Sequence, residues 1–230
     1  MAKLKVQLHL HTRQDPVDNI RHTEKEVIDN AARLGYDVLA ITCHNVVIFN
    51  EDLKKYAEEK RILLIPAIEK SIRKKHVIIL NADIHAQKIK TFEDLKEYRA
   101  RRPDCVTIAA HPYYGCGISL GKKLDEHIDL FDAIEYSWFH SKKTRHLNAK
   151  AIRTAEKFRK PVIGTSDNHL LRYFDQTYSL LDAEKNISSV LDAIRKNRIT
   201  IVSHPLPLIK MPFIIGEMEG RRLLKNILLK

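Results

Sequence analysis

The chain has 230 residues, 44% hydrophobic and 30% charged, enough to bury one sizeable core as a single domain. Cys43, Cys105 and Cys116 form no C-x-x-C pair and leave an odd count, which argues against a disulfide framework, and no apolar run approaches the ~18 residues of a membrane span. The formal charge of +11 admits a nucleic-acid surface, but Lys and Arg are dispersed and aromatic residues are only 7%, so no base-stacking platform is formed.

Strand and helix signals alternate from the start, the pattern of a parallel α/β architecture. The first strand runs from Lys5 to His11 without the apolar stretch of a signal peptide, and a cytoplasmic location is expected. Thr23-Glu24-Lys25-Glu26 reads as a capping box opening a helix whose face is Val27, Ile28, Ala31 and Leu34 and which stops at Gly35. A strand through Ile41 precedes a helix from Glu51 to Lys60; strands then end at Glu69 and start at His76, and Thr91 opens a further helix. Val106 to His111, Ala133 to Trp138 and Val162 to Asp167 are later strands, and strand-helix units repeat about seven times. In the tail, Thr177 to Leu181 and Ile199 to Ser203 read as strands around a helix from Ile187 to Ile194. Beyond them Pro205, Pro207 and Pro212 are expected to prevent regular structure. Residues 1–205 form the catalytic domain in this reading, and 206–230 are an extension packed on it.

Polar residues sit at the exits of several apolar strands. His9 and His11 lie two apart, a spacing that projects both side chains to one side of a strand. His44 follows Val38 to Ile41, Glu69 ends Leu63 to Ile68, His111 ends Val106 to Ala110, and Asp167 and His169 follow Val162 to Thr165. His76 differs in leading into its strand. Core strands do not finish on unpartnered His, Glu and Asp, because burying such groups alone costs several kcal/mol. In a barrel the strand ends face one mouth, and Asp15 lies just beyond the first strand. A mixed His and carboxylate set suits Zn, Mn or Fe.

The order and spacing of Leu8-His9-Leu10-His11-Thr12, Thr42-Cys43-His44-Asn45, Ile68-Glu69, His76 to Leu80, Ala110-His111-Pro112 and Gly164 to His169 resembles the polymerase and histidinol phosphatase (PHP) superfamily over nearly the whole chain. That resemblance implies a distorted (β/α)7 TIM-like barrel holding two or three divalent metal ions. It implies a first site of His9, His11, Glu69 and Asp167, and a second in which Glu69 bridges to His76 and His111. The third site would take His44, His169 and an acidic or His residue after the first motif, with Asp15 preferred to Asp18 in this chain. The family commonly has Asp where this chain has Cys43; strand alternation turns Cys43 away from the His44 face, so a packing change is expected.

The sequence therefore reads as a metal-dependent phosphoesterase acting on a small phosphorylated metabolite or nucleotide, in which a metal-bridged hydroxide attacks phosphorus. Glu69, Asp167 and His169 are the expected catalytic residues. A nuclease cutting DNA or RNA with the same ions is the closest rival, and a non-catalytic, metal-stabilised nucleic-acid-binding or regulatory module is a second. A metal-dependent amidohydrolase with a carboxylated Lys bridge ranks low, since the bridging position is Glu69 and Lys70 should face the other way. His204 reads as structural, His22, His85, His127, His140 and His146 as solvated or capping, and Trp138 and Phe139 as either core or pocket wall. Arg13, Lys142, Lys143, Arg145 and Arg172 are candidates to meet a phosphate. No membrane partner is expected.

Overall fold

The computed structural model describes residues 3–114 and 117–228. Cys43 and Cys105 are buried free thiols; Cys116 lies outside the described residues. Nine strands, β1 (Leu4–Gln7), β2 (Val38–Ile41), β3 (Leu63–Ile72), β4 (Lys75–Leu80), β5 (Val106–Ala109), β6 (Ala133–Ser137), β7 (Val162–Thr165), β8 (Thr177–Leu181) and β9 (Ile199–Ser203), form one sheet. Their order is β7-β6-β5-β4-β3-β2-β1-β8-β9. The helices are α1 (Glu24–Arg33), α2 (Glu51–Glu59), α3 (Phe92–Arg101), α4 (Lys123–Glu126), α5 (His146–Phe158), α6 (Ile187–Arg195) and α7 (Met211–Leu228). Among the described residues no helix is long and apolar enough to cross a membrane.

The sheet curls into a nearly closed barrel. At one end β8 pairs antiparallel with β1 and carries β9. At the other, β1 and β7 meet directly: Leu10 bridges Asn168, with His11 N donating to Asn168 O at 3.0 Å and Asn168 N to His9 O at 3.2 Å. Gly164 in β7 lets β8 and β9 pack closely against that strand, since a Cβ there would lie 2.6 Å from Ile201 Cγ2 on β9 and 3.2 Å from the Tyr178 carbonyl on β8.

Period-two alternation distributes the core. Val38 and Ala40 join a cluster with Val6, Leu8, Ile65, Ile78, Ile108 and Ile163 that α6 covers through Val190, Leu191 and Ile194. Leu39 and Ile41 point outward to Val27, Ile28, Ala31 and Leu53 of α1 and α2. The Thr23 capping box and the Thr91 capping box start α1 and α3 as their sequences predict.

The structure departs from the sequence expectations in three places. The β-ladder of the first strand ends at Gln7 rather than His11: Leu8 and Leu10 join different clusters, so alternation breaks between them and the chain bends where His9 and His11 sit. The expected strand-helix rhythm is interrupted at β3 and β4, which form an antiparallel hairpin. Arg73 and Lys74 turn it with φ of 49° and 66°, the positive values of a tight hairpin turn. The tail is not irregular, because Met211 to Leu228 is helical with Pro212 in its first turn, where a missing N–H has no intrahelical partner to lose.

Candidate metal centre

The hairpin explains how His76, at a strand start, joins residues at strand ends. Because β4 runs antiparallel to β3, its beginning lies at the mouth where β3 delivers Glu69. Glu69 is the hub: its Oε1 lies 2.8 Å from His76 Nδ1, 3.2 Å from His111 Nε2 and 3.3 Å from His9 Nε2. Its Oε2 lies 2.9 Å from His44 Nε2 and 3.4 Å from His11 Nε2. Asp167 Oδ1 completes the wall against β1, 3.3 Å from His9 Nε2 and 3.2 Å from His11 Nε2. His111 and Asp167 both adopt positive φ, 26° and 40°, so two residues that aim side chains at the mouth do so from strained backbone.

The ring orientations are set from behind. Carboxylates accept from Nδ1 of three rings, Glu135 Oε1 from His9 at 2.8 Å and Asp15 Oδ2 from both His11 and His44 at 2.8 Å. With Nδ1 held as the donor, each Nε2 lone pair faces the pocket. His169 donates Nδ1–H to the Asp167 carbonyl at 2.9 Å and turns Nε2 toward Asp18 Oδ2 at 3.1 Å.

Charge follows the same logic. Burial alone would lower the basicity of His9, but Asp167, Glu135 and Glu69 outweigh it and raise its pKa well above the usual imidazole range. His44 is raised in the same way against burial by Glu69 and Asp15, and His169 is held up at about 9, against its burial, by Asp167 and Asp18. Glu69 and Asp167, which burial would raise, are instead drawn well below the carboxylate range, Glu69 by His76, His9 and His44 and Asp167 by His9 and His169.

The residues fit divalent ions. The buried atoms His9 Nε2, His11 Nε2, His76 Nδ1 and Asp167 Oδ1 converge without a properly aligned hydrogen bond, the arrangement of ligands rather than of a satisfied polar core. Three sets with atoms within 4.8 Å of one another are His9, His11 and Asp167; His11, His44 and Glu69; and Glu69, His76 and His111. A fourth joins Asp15, Asp18 and His44.

Each of the nine expected ligands, His9, His11, Asp15, His44, Glu69, His76, His111, Asp167 and His169, lies at this mouth, but Asp15 is placed differently from Asp18. Asp15 is buried and its oxygens accept from five donors: the His11 and His44 rings and the backbone N–H groups of His44, Val17 and Asp18. Asp18, ranked second by sequence, lines the pocket and faces His169. Sequence reasoning also missed Glu135, which is buried, bonds His9, and accepts from His111 N and Thr165 Oγ1. A Glu inside the apolar run Ala133-Ile134-Glu135 was its only signal.

Other expectations are corrected. His22 is neither solvated nor a cap: it is buried with Nε2 donating to the His11 carbonyl at 2.8 Å, bracing the first motif. His140 is likewise buried, with Nε2 2.8 Å from Ser203 Oγ. Cys43 packs with Leu10, Val27 and Ile28, its thiol pushed up to about 12 by burial, as a group facing away from the site should be. Arg13, Lys142, Lys143, Arg145 and Arg172 do not line the pocket; its cations are Lys74 of the hairpin turn and Arg221 and Arg222 of α7. Trp138 and Phe139 do line it.

The comparisons with known proteins agree with this fold. Residues 145–199 match the family described as PHP-associated. Among solved structures, a two-domain protein from Bacteroides vulgatus containing a predicted PHP-like metal-dependent phosphoesterase aligns over 94% of this chain and 70% of its own, with a TM-score of 0.65 and 18% identity. The chain shares the fold of that protein. The barrel is also similar to PsfC from Pseudomonas syringae, over 97% of this chain and 99% of that one, with a TM-score of 0.65 and 15% identity. The lesion-specific endonuclease Q from Pyrococcus furiosus matches 86% of this chain at a TM-score of 0.58 and 15% identity, and the chain spans 57% of that protein's length. No curated protein sequence matches.

Proposed function

We propose that this chain is a metal-dependent phosphoesterase of the PHP type that hydrolyses a small phosphorylated metabolite or nucleotide. The observation that carries the reading is Glu69, one buried carboxylate within 3.4 Å of ring nitrogens from five histidines. A carboxylate so placed would be able to serve two ions, one held with His9, His11 and Asp167 and the other with His76 and His111. We assign His44, His169 and Asp18 to a third position, and Asp15 to orienting His11 and His44. Divalent ions held there supply Lewis acidity that activates water and neutralises phosphate oxygens.

The chain's own groups define the rest of the chemistry. Glu69, Asp167 and His169 are the proposed catalytic residues. Glu135 and Asp15 fix ring tautomers so that the Nε2 atoms of His9, His11 and His44 stay directed at Glu69 and Asp167, where they would hold the ions. Lys74, which makes no ion pair among the described residues, and Arg222 stand at the pocket and are suited to meet phosphate oxygens. No Ser or Cys nucleophile is required. A cavity of about 750 Å³ contains this floor, within the size range of small-molecule sites.

The likeness to endonuclease Q favours a second reading, cleavage of nucleic-acid phosphodiesters. A phosphate-release screen separates the two. Chelator-treated protein reloaded with Zn, Mn or Fe should act on sugar phosphates or mononucleotides and be inert without metal. Oligonucleotide cleavage far exceeding release from every small ester, with a steep loss of binding as salt rises, would establish the nuclease reading instead.

A further inference from the structure

The residues of α7 that approach the barrel form one stripe at helical spacing: Met211, Ile214, Ile215, Met218, Arg221, Arg222 and Lys225. Along the stripe the chemistry changes. Met211 and Ile214 are buried against Trp138, Leu170 and Leu206, and Ile215 and Met218 line the cavity. Arg221 and Arg222 line it further along, with Glu219 the one acidic residue of the helix in the lining, and Lys225 Nζ reaches the backbone carbonyls of Asp15 and Asp18.

The helix is tied down at several points. Asn19 Nδ2 donates to the Arg221 carbonyl at 3.2 Å, and Glu217 accepts from both Arg172 and Arg221. It therefore spans the loops that follow β1, β6 and β7, directly above the His and carboxylate floor. Ile215 is 49% exposed although it lies on the inward stripe, so its apolar surface meets open cavity rather than protein.

We propose that α7 is a fixed roof selecting phosphoesters with a compact apolar or aromatic organic group, and that Ile215 and Met218, beside Trp138, Phe139 and Leu170, are the residues that select it. The phosphoryl end meets the floor and the cationic end of the stripe; the organic body fills the apolar end. Apolar surface buried from water stabilises the bound state at roughly 25 cal/mol per Å², so a ring placed there raises affinity where a methyl group cannot. The inference rests on the phosphoesterase reading for its substrate, yet binding of non-hydrolysable phosphonates tests it separately.

The experiment is calorimetric titration of the full, Mn-loaded chain with phenylphosphonate and methylphosphonate. Wild type should bind phenylphosphonate at least tenfold more tightly. Ile215→Asp and, independently, Met218→Gln should abolish most of that advantage while methylphosphonate affinity stays within about twofold, because the metal floor is untouched. Phe213→Asp, on the outer face where the side chain is 75% exposed, should change neither. Equal affinity of wild type for the two probes, no binding of either, or an advantage that survives in whichever of the two inner-face variants folds, would overturn the proposal. If esters are hydrolysed without preference for the aromatic group, the roof proposal fails alone. If phenylphosphonate is preferred and no ester is cleaved, the phosphoesterase reading fails alone.

Discussion

Glu135 holds His9 from behind, with Oε1 2.8 Å from Nδ1 and both side chains fully buried. The pairing fixes the imidazole so that Nε2 faces Asp167 and Glu69. Carboxylates in this supporting position tune metal affinity by about 10–100-fold. Glu135→Gln should therefore weaken the tightest metal site by that order, measured by competition with a chromophoric chelator, with circular dichroism unchanged. Unaltered affinity would reduce Glu135 to a structural group.

Asp15 and Asp18 should part company under the same substitution. Asp15→Asn replaces an acceptor of five donors by a group that must present an NH2 to at least two of them. It should lower Tm as well as metal content, by about 1–3 kcal/mol of stability. Asp18→Asn should spare Tm and lower activity, because Asp18 faces the pocket and His169. Thermal melts and turnover measured on both variants decide between them; a sensitive Tm in Asp18→Asn with a silent Asp15→Asn would reverse the assignment.

Metal-free protein should lose stability in alkali. His9, His44 and His169 have raised pKa values, His169 to about 9, because buried carboxylates surround them. A raised folded-state pKa gives stability that is complete below the unfolded value near 6.5 and is lost as pH rises through the folded value. Melting of chelated protein should fall between about pH 7 and 10, and saturating Zn should remove that slope by taking the place of the protons. A flat profile without metal would show that the histidines are not charged there.

Away from the mouth, a paired cation should matter to stability alone. Arg99 grips Asp132 through two bonds of 2.6 and 3.1 Å, and Thr107 N donates to the same carboxylate at 2.8 Å. Burial would raise the Asp132 pKa, but Arg99 draws it down, so its contribution is present above the unfolded pKa and lost as pH falls. Arg99→Met should cost about 1–3 kcal/mol at neutral pH, discounted for partial exposure, and leave turnover of folded protein within twofold. A tenfold loss of turnover would tie this pair to the site.

Much of the centre was legible because its ligands stand at strand exits in fixed order. His9, His11, His44, Glu69, His111, Asp167 and His169 needed only the rule that barrel strands deliver their ends to one mouth. His76 broke that rule, and only the antiparallel hairpin accounts for it. The choice between Asp15 and Asp18 depended on a loop bend between residues three apart, to which strand periodicity is blind. Glu135 and His22 act through contacts distant in sequence, His9 and His11 respectively. The roof was hidden by Pro205, Pro207 and Pro212, since proline in a first helical turn resembles a breaker until the following residues are seen to be helical.

The central claim is that Glu69 is shared between two metal ions, and metal stoichiometry of purified wild type and Glu69→Gln tests it most directly. Inductively coupled plasma mass spectrometry should find at least two divalent ions per wild-type chain. The variant should retain no more than one, since the neutral amide leaves the repulsion between adjacent cations unscreened, and its phosphate release should fall by at least a hundredfold. A metal content equal to wild type in folded Glu69→Gln, or fewer than two ions in fully loaded wild type, would contradict the account.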